Sequence, residues 1–258
     1  MARILILMYH IVDEPRSERE ARFCCTPDKF AEQMEYLANS KYQLLTLDNI
    51  FEVTENRRSQ EQTGVAVTFD DGFCDFHRNA LPILTRWNIP AAMFVVSQRI
   101  GKSNDWMHKR GFPERPLLSL RKLQDVRDAG ITIGSHTCSH ARLSDISSNA
   151  ERLDDELGAS KQELEELLGQ DVEHFAYPYG LYDEQTIAAV KKAGYKTACS
   201  TRSGFNRENI NPLLLRRLEI YGTDKLWHFR QKLKFGVNDM SYSFPIKYYA
   251  SRILHRVY

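Results

Sequence analysis

The stretch GVAVTFDDGF, residues Gly64–Phe73, places two adjacent aspartates at the end of an apolar run. All residues from 65 to 69 except Thr68 are apolar, which is typical of a short buried strand. Asp70 and Asp71 repel each other, and burying them without a counter-charge is costly. Two interpretations are open: the pair caps the next helix, or a cation lies between it and the rest of a site.

Outward from this stretch, short apolar runs alternate with amphipathic segments. We predict strands at 3–9, in YQLLTL, at 65–69, and in PAAMFVV, ITIGSH, HFAYP, YKTACS and LLLRRLEI. We predict helices from about 27 to 39, in DNIFEVTEN, FHRNALPILTRWN and SLRKLQDVRDAG, from about 147 to 168, and in DEQTIAAVKKAG. Such alternation indicates parallel β/α units with active groups on the loops after the strands, so we expect one closed or nearly closed barrel of about seven units.

Composition excludes several classes of protein. The chain of 258 residues carries 35 basic and 34 acidic side chains, so no strong field favours nucleic acid. Its five cysteines show no C-x-x-C spacing, which indicates a reducing compartment rather than a disulfide framework. The apolar run near the N-terminus, residues 4–9, is too short for a signal peptide or a membrane span. We therefore expect a cytoplasmic α/β protein.

A second polar motif, GSHTCSH, follows the predicted strand ITIG and contains His136 and His140. Side chains four residues apart on a helical turn share one face, so both imidazoles can reach one metal ion. By themselves the two residues are more often exposed loop histidines. Together with one carboxylate of the Asp70–Asp71 pair they make three ligands with an open position, which is typical of catalytic zinc. The other carboxylate can then act as a general base.

These motifs resemble those of the NodB-type polysaccharide deacetylases, carbohydrate esterase family 4. The motif TFDDG is present at residues 68–72, and the motif H-[ST]-x-x-H at residues 136–140. The resemblance implies a single-domain distorted (β/α)7 barrel over residues 1–258. It implies that Asp70 is the base and that Asp71, His136 and His140 bind the metal. Zn²⁺ is the default metal, with other divalent transition metals as alternatives.

The third motif of this family, R-x-P-Y, is altered here. FAYPYG keeps Pro178, Tyr179 and Gly180 but has Ala176 where arginine is expected. The resemblance assigns the Tyr179 backbone N–H to the developing oxyanion and makes Pro178 and Gly180 substrate-binding residues. The missing guanidinium, which orients the base, could come from Arg216 or Arg217, since alternate strand residues face inward. The alternative is a solvent-facing arginine pair, and the family's fourth motif, with its aspartate and tryptophan, is not found.

Two histidines compete for the role of general acid. His228 in KLWHF fits the family's C-terminal motif but lies in a helix-like segment. His10, in LILMYH, directly follows the first predicted strand, as in a subgroup similar to poly-N-acetylglucosamine deacetylases that begins with M-Y-H. That subgroup is similar to a circularly permuted member of the family. We therefore assign His10 as the acid, with a structural histidine as the alternative.

The resemblance implies hydrolysis of an N-acetyl group on an N-acetylhexosamine-containing glycan or precursor. Trp106, in the irregular loop 99–118, and Tyr182 are candidate sugar contacts, although both residue types more often serve packing. Alternatives are a deacylase acting on a lipid- or nucleotide-linked sugar, an O-acetyl esterase, and a carbohydrate-binding module with little activity. The basic, aromatic segment 240–258 is a candidate peripheral helix that could contact an anionic membrane.

Overall fold

The computed structural model of the chain describes residues 3–55, 57–239 and 241. All strand pairs in its sheet are parallel, and the strands follow the order β7-β6-β5-β4-β3-β1-β8, with β2 beside the start of β3. The strands are β1 Ile4–Tyr9, β2 Gln43–Leu44, β3 Gly64–Phe69, β4 Ala91–Val95, β5 Thr132–Ser135, β6 His174–Ala176, β7 Thr197–Cys199 and β8 Leu218–Glu219.

The two ends of this sheet are joined by one segment of chain. The Leu215 N–H donates to the carbonyl oxygen of Ala198 in β7, while Leu218 and Glu219 pair with β1. The predicted nearly closed parallel barrel is therefore confirmed. The predicted strand LLLRRLEI is shorter than expected, because Pro212–Leu214 forms a 3₁₀ turn and only β8 is regular.

The helices lie outside this sheet, except for α2. They are α1 Pro27–Ala38, α2 Leu47–Thr54, α3 Leu81–Trp87, α4 Leu120–Asp128, α5 Ala150–Leu168, α6 Glu184–Lys192 and α7 Leu226–Phe235. Pro27 occupies the first turn of α1, as predicted. The predicted helix around Pro82 is divided: a π-helical turn, Phe76–Ala80, precedes α3, so that the proline stands in the first turn of α3.

Alternate residues of the strands enter two different apolar layers. Leu5, Leu7 and Tyr9 of β1 pack with the helices, whereas Ile4 and Ile6 face the barrel interior, where α2 also buries side chains. Side chains two residues apart on a strand share a face. This alternation determines which polar residues at the strand ends point inward.

The loop 99–118 contains a 3₁₀ turn, Asp105–Arg110, and is tied at its base by a hydrogen bond from Leu117 N–H to Lys102 O. The predicted helix 240–258 lies outside the described residues, apart from Ser241. In the described ranges, no helix is both long and apolar enough to cross a bilayer.

Candidate active site

The candidate catalytic side chains meet at the carboxyl ends of the parallel strands. His10 follows β1, Asp70 and Asp71 follow β3, His136 follows β5, and Tyr179 follows β6. They line one cavity of about 370 Å³ together with His140. The prediction that the two aspartates and the two histidines come from separate strands to one place is therefore met by the geometry.

Three of these side chains converge on a single point. Nε2 of His140 lies 3.2 Å and Nε2 of His136 lies 3.6 Å from the same oxygen, Oδ1 of Asp71. All three residues are buried, and their donor atoms lie within 4.8 Å of one another. Asp71 Oδ1 has no hydrogen-bond partner among the described residues. A buried, unpartnered carboxylate oxygen facing two imidazole nitrogens is the donor set that a divalent transition metal requires, so the residues fit a metal.

His136 is oriented by the neighbouring strand. Its Nδ1 lies 2.7 Å from the carbonyl oxygen of Ala176, which can only accept a hydrogen bond. Nδ1 therefore carries the proton, and Nε2 presents a lone pair toward Asp71. Burial, reinforced by the charge of His140, lowers the pKa of His136 to about 4, so the ring is neutral near pH 7. A neutral imidazole is the form that ligates a metal.

The backbone around the site is unusual. Asp71, Thr137, His140 and Tyr179 have φ angles of 75°, 68°, 63° and 59°. Such left-handed conformations cost free energy in residues other than glycine and persist where the surrounding structure imposes them. Because these conformations are concentrated around one site, we infer that the surrounding fold stabilises them and thereby fixes the directions of these side chains.

Asp70 is held by a buried arginine. Nη1 and Nη2 of Arg217 donate to Oδ1 and Oδ2 of Asp70 over 2.6 and 2.7 Å, and Arg217 Nε donates to Ser200 O. Burial opposes the ionisation of Asp70, but the Arg217 guanidinium outweighs it and holds the pKa of this carboxyl below its usual range. Asp70 is therefore an oriented anion.

The strand alternation separates the two candidate arginines. Leu215 and Arg217 face the barrel interior, whereas Arg216 is exposed, with its side chain against Gly204. Arg216 is thus not a base-orienting residue, because the side-chain period of two directs it away from Asp70. Arg217 therefore supplies to Asp70 the guanidinium that the third motif, with Ala176 in place of arginine, does not supply.

The structure also separates the two candidate acids. His10 is half-buried, lines the cavity and packs edge-on against Phe23, with ring centroids 5.4 Å apart. His228 lies in the first turn of α7, where its Nδ1 accepts the Lys225 N–H and caps the helix. His228 therefore has a structural role, and only His10 reaches the cavity.

The third motif forms a tight turn beside His140. Tyr179 lines the cavity, and its ring meets that of His140 at a centroid distance of 4.7 Å. Within this turn the Gly180 N–H donates to Tyr177 O and the Leu181 N–H donates to Pro178 O. Gly180 has φ 68°, and a Cβ there would lie 2.1 Å from Thr201 Oγ1. Pro178 and Gly180 shape the turn that presents Tyr179 and are not part of the cavity wall, so their assignment as substrate-binding residues stays a prediction.

The two candidate sugar contacts differ in position. Trp106 lines the cavity and stacks on His140, with ring centroids 4.8 Å apart and planes inclined by 16°. Tyr182 is not part of the cavity wall. It packs on Tyr177 at 5.2 Å and joins the outer apolar layer, so the cavity does not support its assignment as a substrate contact, which stays a prediction.

Several wall residues were not found from the sequence. Phe23, Phe73, Met107 and Phe112 give the cavity an apolar side. They come from three loops, which follow β1 and β3 or form 99–118, and the approach of these loops has no periodic signal. Only the irregularity of 99–118 pointed to one of them.

A buried arginine joins two of these loops. Arg115, 1% exposed, donates to Glu20 through Nε and Nη2 over 3.0 and 2.9 Å and to Asp13 over 3.1 Å. Paired charges at this depth fix one geometry, because separating them would leave an uncompensated buried ion. Arg115 therefore holds the loop bearing Trp106 against the loop that follows His10.

A parallel barrel with this donor set and an oriented carboxylate at its strand ends is typical of metal-dependent hydrolases. The family model described as polysaccharide deacetylase matches residues 57–198, more than half of the chain. The chain belongs to the polysaccharide deacetylase family, and its assignment as a hydrolase of that family is confirmed.

Individual relatives agree with this assignment. YxkH of Bacillus subtilis (strain 168), named for the same family, is 27% identical over 220 residues, covering 85% of this chain and 72% of YxkH. The poly-beta-1,6-N-acetyl-D-glucosamine N-deacetylase of Staphylococcus aureus (strain MRSA252) is 24% identical over 211 residues, covering 79% and 70%. The structure of the Streptococcus pyogenes deacetylase PplD in complex with acetate superposes with a TM-score of 0.76 at 24% identity, covering 91% of this chain and 98% of PplD. That likeness confirms the predicted NodB-type barrel.

Proposed function

We propose that the protein is a metal-dependent deacetylase that hydrolyses the N-acetyl group of an N-acetylhexosamine in a glycan or glycan precursor. One observation carries this proposal: the donor cluster of Asp71, His136 and His140 lies beside a carboxylate, Asp70, that Arg217 keeps ionised. The Staphylococcus relative, a poly-beta-1,6-N-acetyl-D-glucosamine N-deacetylase, supports the substrate class.

Asp71, His136 and His140 would hold the metal, for which we propose Zn²⁺. When bound, such a metal polarises the amide carbonyl and acidifies water in the open position. The residues of the chain supply the rest. The two oxygens of Asp70 are oriented by Arg217 and remain able to accept a proton from the attacking water.

Two further groups complete the reaction. The backbone N–H of Tyr179, which lies in the cavity wall, would be the donor for the oxygen on which negative charge develops. His10 stands in the cavity wall at the end of β1, the neighbour of β3, and would give its proton to the amine. An amine is a poor leaving group until it is protonated, so this step is required for acetate release. Trp106 and the apolar side of the cavity would exclude water from the face of the bound sugar.

Acetate release by the zinc-loaded protein tests the proposal. The substrates are N-acetylglucosamine oligomers, nucleotide-linked N-acetylhexosamines and an O-acetyl ester. We expect release from an N-acetyl sugar, loss by a factor of about 10² or more in Asp70→Asn, and no change in Asp171→Asn, which alters an exposed aspartate. Metal bound without release from any substrate would contradict the proposal, and release from the ester alone would favour the esterase. The cytoplasmic location and the membrane contact of residues 240–258 stay predictions.

A further inference from the structure

Two arginines at the cavity wall lie against the Tyr179 ring. The guanidinium carbon of Arg142 lies 4.7 Å from the ring centroid, and that of Arg110 lies 5.6 Å from it. Both residues line the cavity and both are exposed. Within the described part of the chain, neither forms an ion pair with a carboxylate.

The acidic groups of the cavity do not neutralise these arginines. Three of the four acidic side chains in the wall pair with another arginine: Asp70 with Arg217, Glu20 with Arg115, and Glu219 with Arg22. The fourth, Asp71, belongs to the donor cluster. The charges of Arg110 and Arg142 are therefore in excess on one side of the site. Unpaired guanidinium groups beside a partly apolar cavity create a positive potential that favours an anionic ligand.

We propose that Arg110 and Arg142 bind a phosphoryl group on the N-acetylhexosamine, so that the substrate is a phosphorylated sugar rather than a neutral glycan. This inference rests on the proposed function. A phosphoryl group presents several acceptor oxygens, which two planar guanidinium forks can share through charge-assisted hydrogen bonds.

The position of the pair suits this substrate. The Tyr179 ring contacts both groups: its centroid is 4.7 Å from that of the His140 ring and 4.7 Å from the Arg142 guanidinium carbon. The donor cluster and Arg142 are therefore no farther apart than this one side chain allows. One hexosamine can bridge that separation, with its acetamido group at the donor cluster and its phosphoryl group at the arginines.

The test compares kcat/KM for N-acetylglucosamine 1-phosphate and for methyl N-acetylglucosaminide. It uses the zinc-loaded wild type, the double variant Arg110→Gln/Arg142→Gln, and Arg202→Gln as a matched control. Arg202 is exposed and lies 5.0 Å from the ring of Tyr182, outside the cavity. UDP-N-acetylglucosamine and a dodecyl phosphodiester of N-acetylglucosamine then distinguish a nucleotide from a lipid as the source of the phosphoryl group.

We expect the wild type to prefer the phosphorylated sugar by about tenfold or more, the free energy of one good charge-assisted bond. The preference should disappear in the double variant, mainly through KM, and persist in Arg202→Gln. Calorimetric binding of glucosamine 1-phosphate to the same proteins gives a readout that does not need turnover. Phosphate bound at the metal contributes equally to the wild type and the variants, so it cancels in the comparison.

Equal kcat/KM for the two sugars, with unchanged binding in the double variant, would overturn the phosphoryl site and leave the deacetylase intact. If no acetate is released from any substrate, the proposed function fails. The calorimetric difference between the wild type and the double variant still decides the role of the arginines in that case.

Discussion

Replacing Arg217 by methionine should damage both stability and turnover. Arg217 is fully buried and Asp70 is 3% exposed, so the variant leaves an anion in the barrel interior with its counter-charge removed. Two charge-assisted bonds of about 1.5–3 kcal/mol each are lost. The free energy of unfolding should accordingly fall by about 3–5 kcal/mol, the usual cost of removing one partner of a buried pair.

The effect on catalysis has a separate cause. Without the guanidinium, burial raises the pKa of Asp70, and the carboxylate is no longer fixed by two bonds. We expect kcat for acetate release to fall by about 10²–10³, within the range of a lost general base. Arg217→Lys should recover part of the stability but less of the rate, because lysine keeps the charge and loses the bidentate geometry.

Chemical denaturation and initial rates measure these effects, with Arg216→Met as the matched control. Arg216 is exposed, so its loss should change stability by less than about 0.5 kcal/mol. In the double variant Asp70→Asn/Arg217→Met the stability losses should be strongly non-additive, since the two side chains contact each other. A loss below about 1 kcal/mol in Arg217→Met, with kcat within threefold of wild type, would refute the assignment of Arg217 as the residue that orients the base.

Three further predictions concern the other groups of the site. His140→Ala should lose bound zinc, measured by elemental analysis after dialysis, whereas the exposed-residue control His108→Ala should retain it; retention by both would remove His140 from the ligand set. His10→Ala should keep the metal and lose about 10²-fold or more in kcat, and a change in KM alone would argue against its role as the acid. Burial raises the pKa of Asp75 to about 6 from 3.8, so its contribution to stability is full below pH 4 and lost as pH rises through 6. The free energy of unfolding of Asp75→Asn, relative to that of the wild type, should therefore rise by about 3 kcal/mol between pH 4 and pH 7. Denaturation curves at several pH values measure this difference, and a pH-independent difference would contradict the prediction.

Helix ends that carry a residue typical of a helix start or stop were predictable from the sequence. Thr26 and Pro27 begin α1 as expected, and Gly169 ends α5 in a left-handed conformation. β2 and β8 were predicted too long, because their apolar residues pack in the interior without a continuous ladder of hydrogen bonds. Boundaries of this kind depend on neighbouring strands rather than on the segment itself.

The sequence by itself determined the barrel and its central chemistry. Strand periodicity, the Asp70–Asp71 pair and the spacing of His136 and His140 are local patterns, and parallel strands necessarily bring their carboxyl ends to one face. Those residues could therefore be assigned together before their distances were known.

Only the tertiary structure decided which arginine holds Asp70, which histidine enters the cavity, and that Tyr182 lies outside it. Each of these choices depends on side-chain direction and on contacts between residues far apart in the chain, such as Arg217 with Asp70. The same holds for Arg110 and Arg142: that no carboxylate of the described residues pairs with them is visible only once the partners of Asp70, Glu20 and Glu219 are known. A sequence records which charges exist, and packing alone determines which of them remain uncompensated.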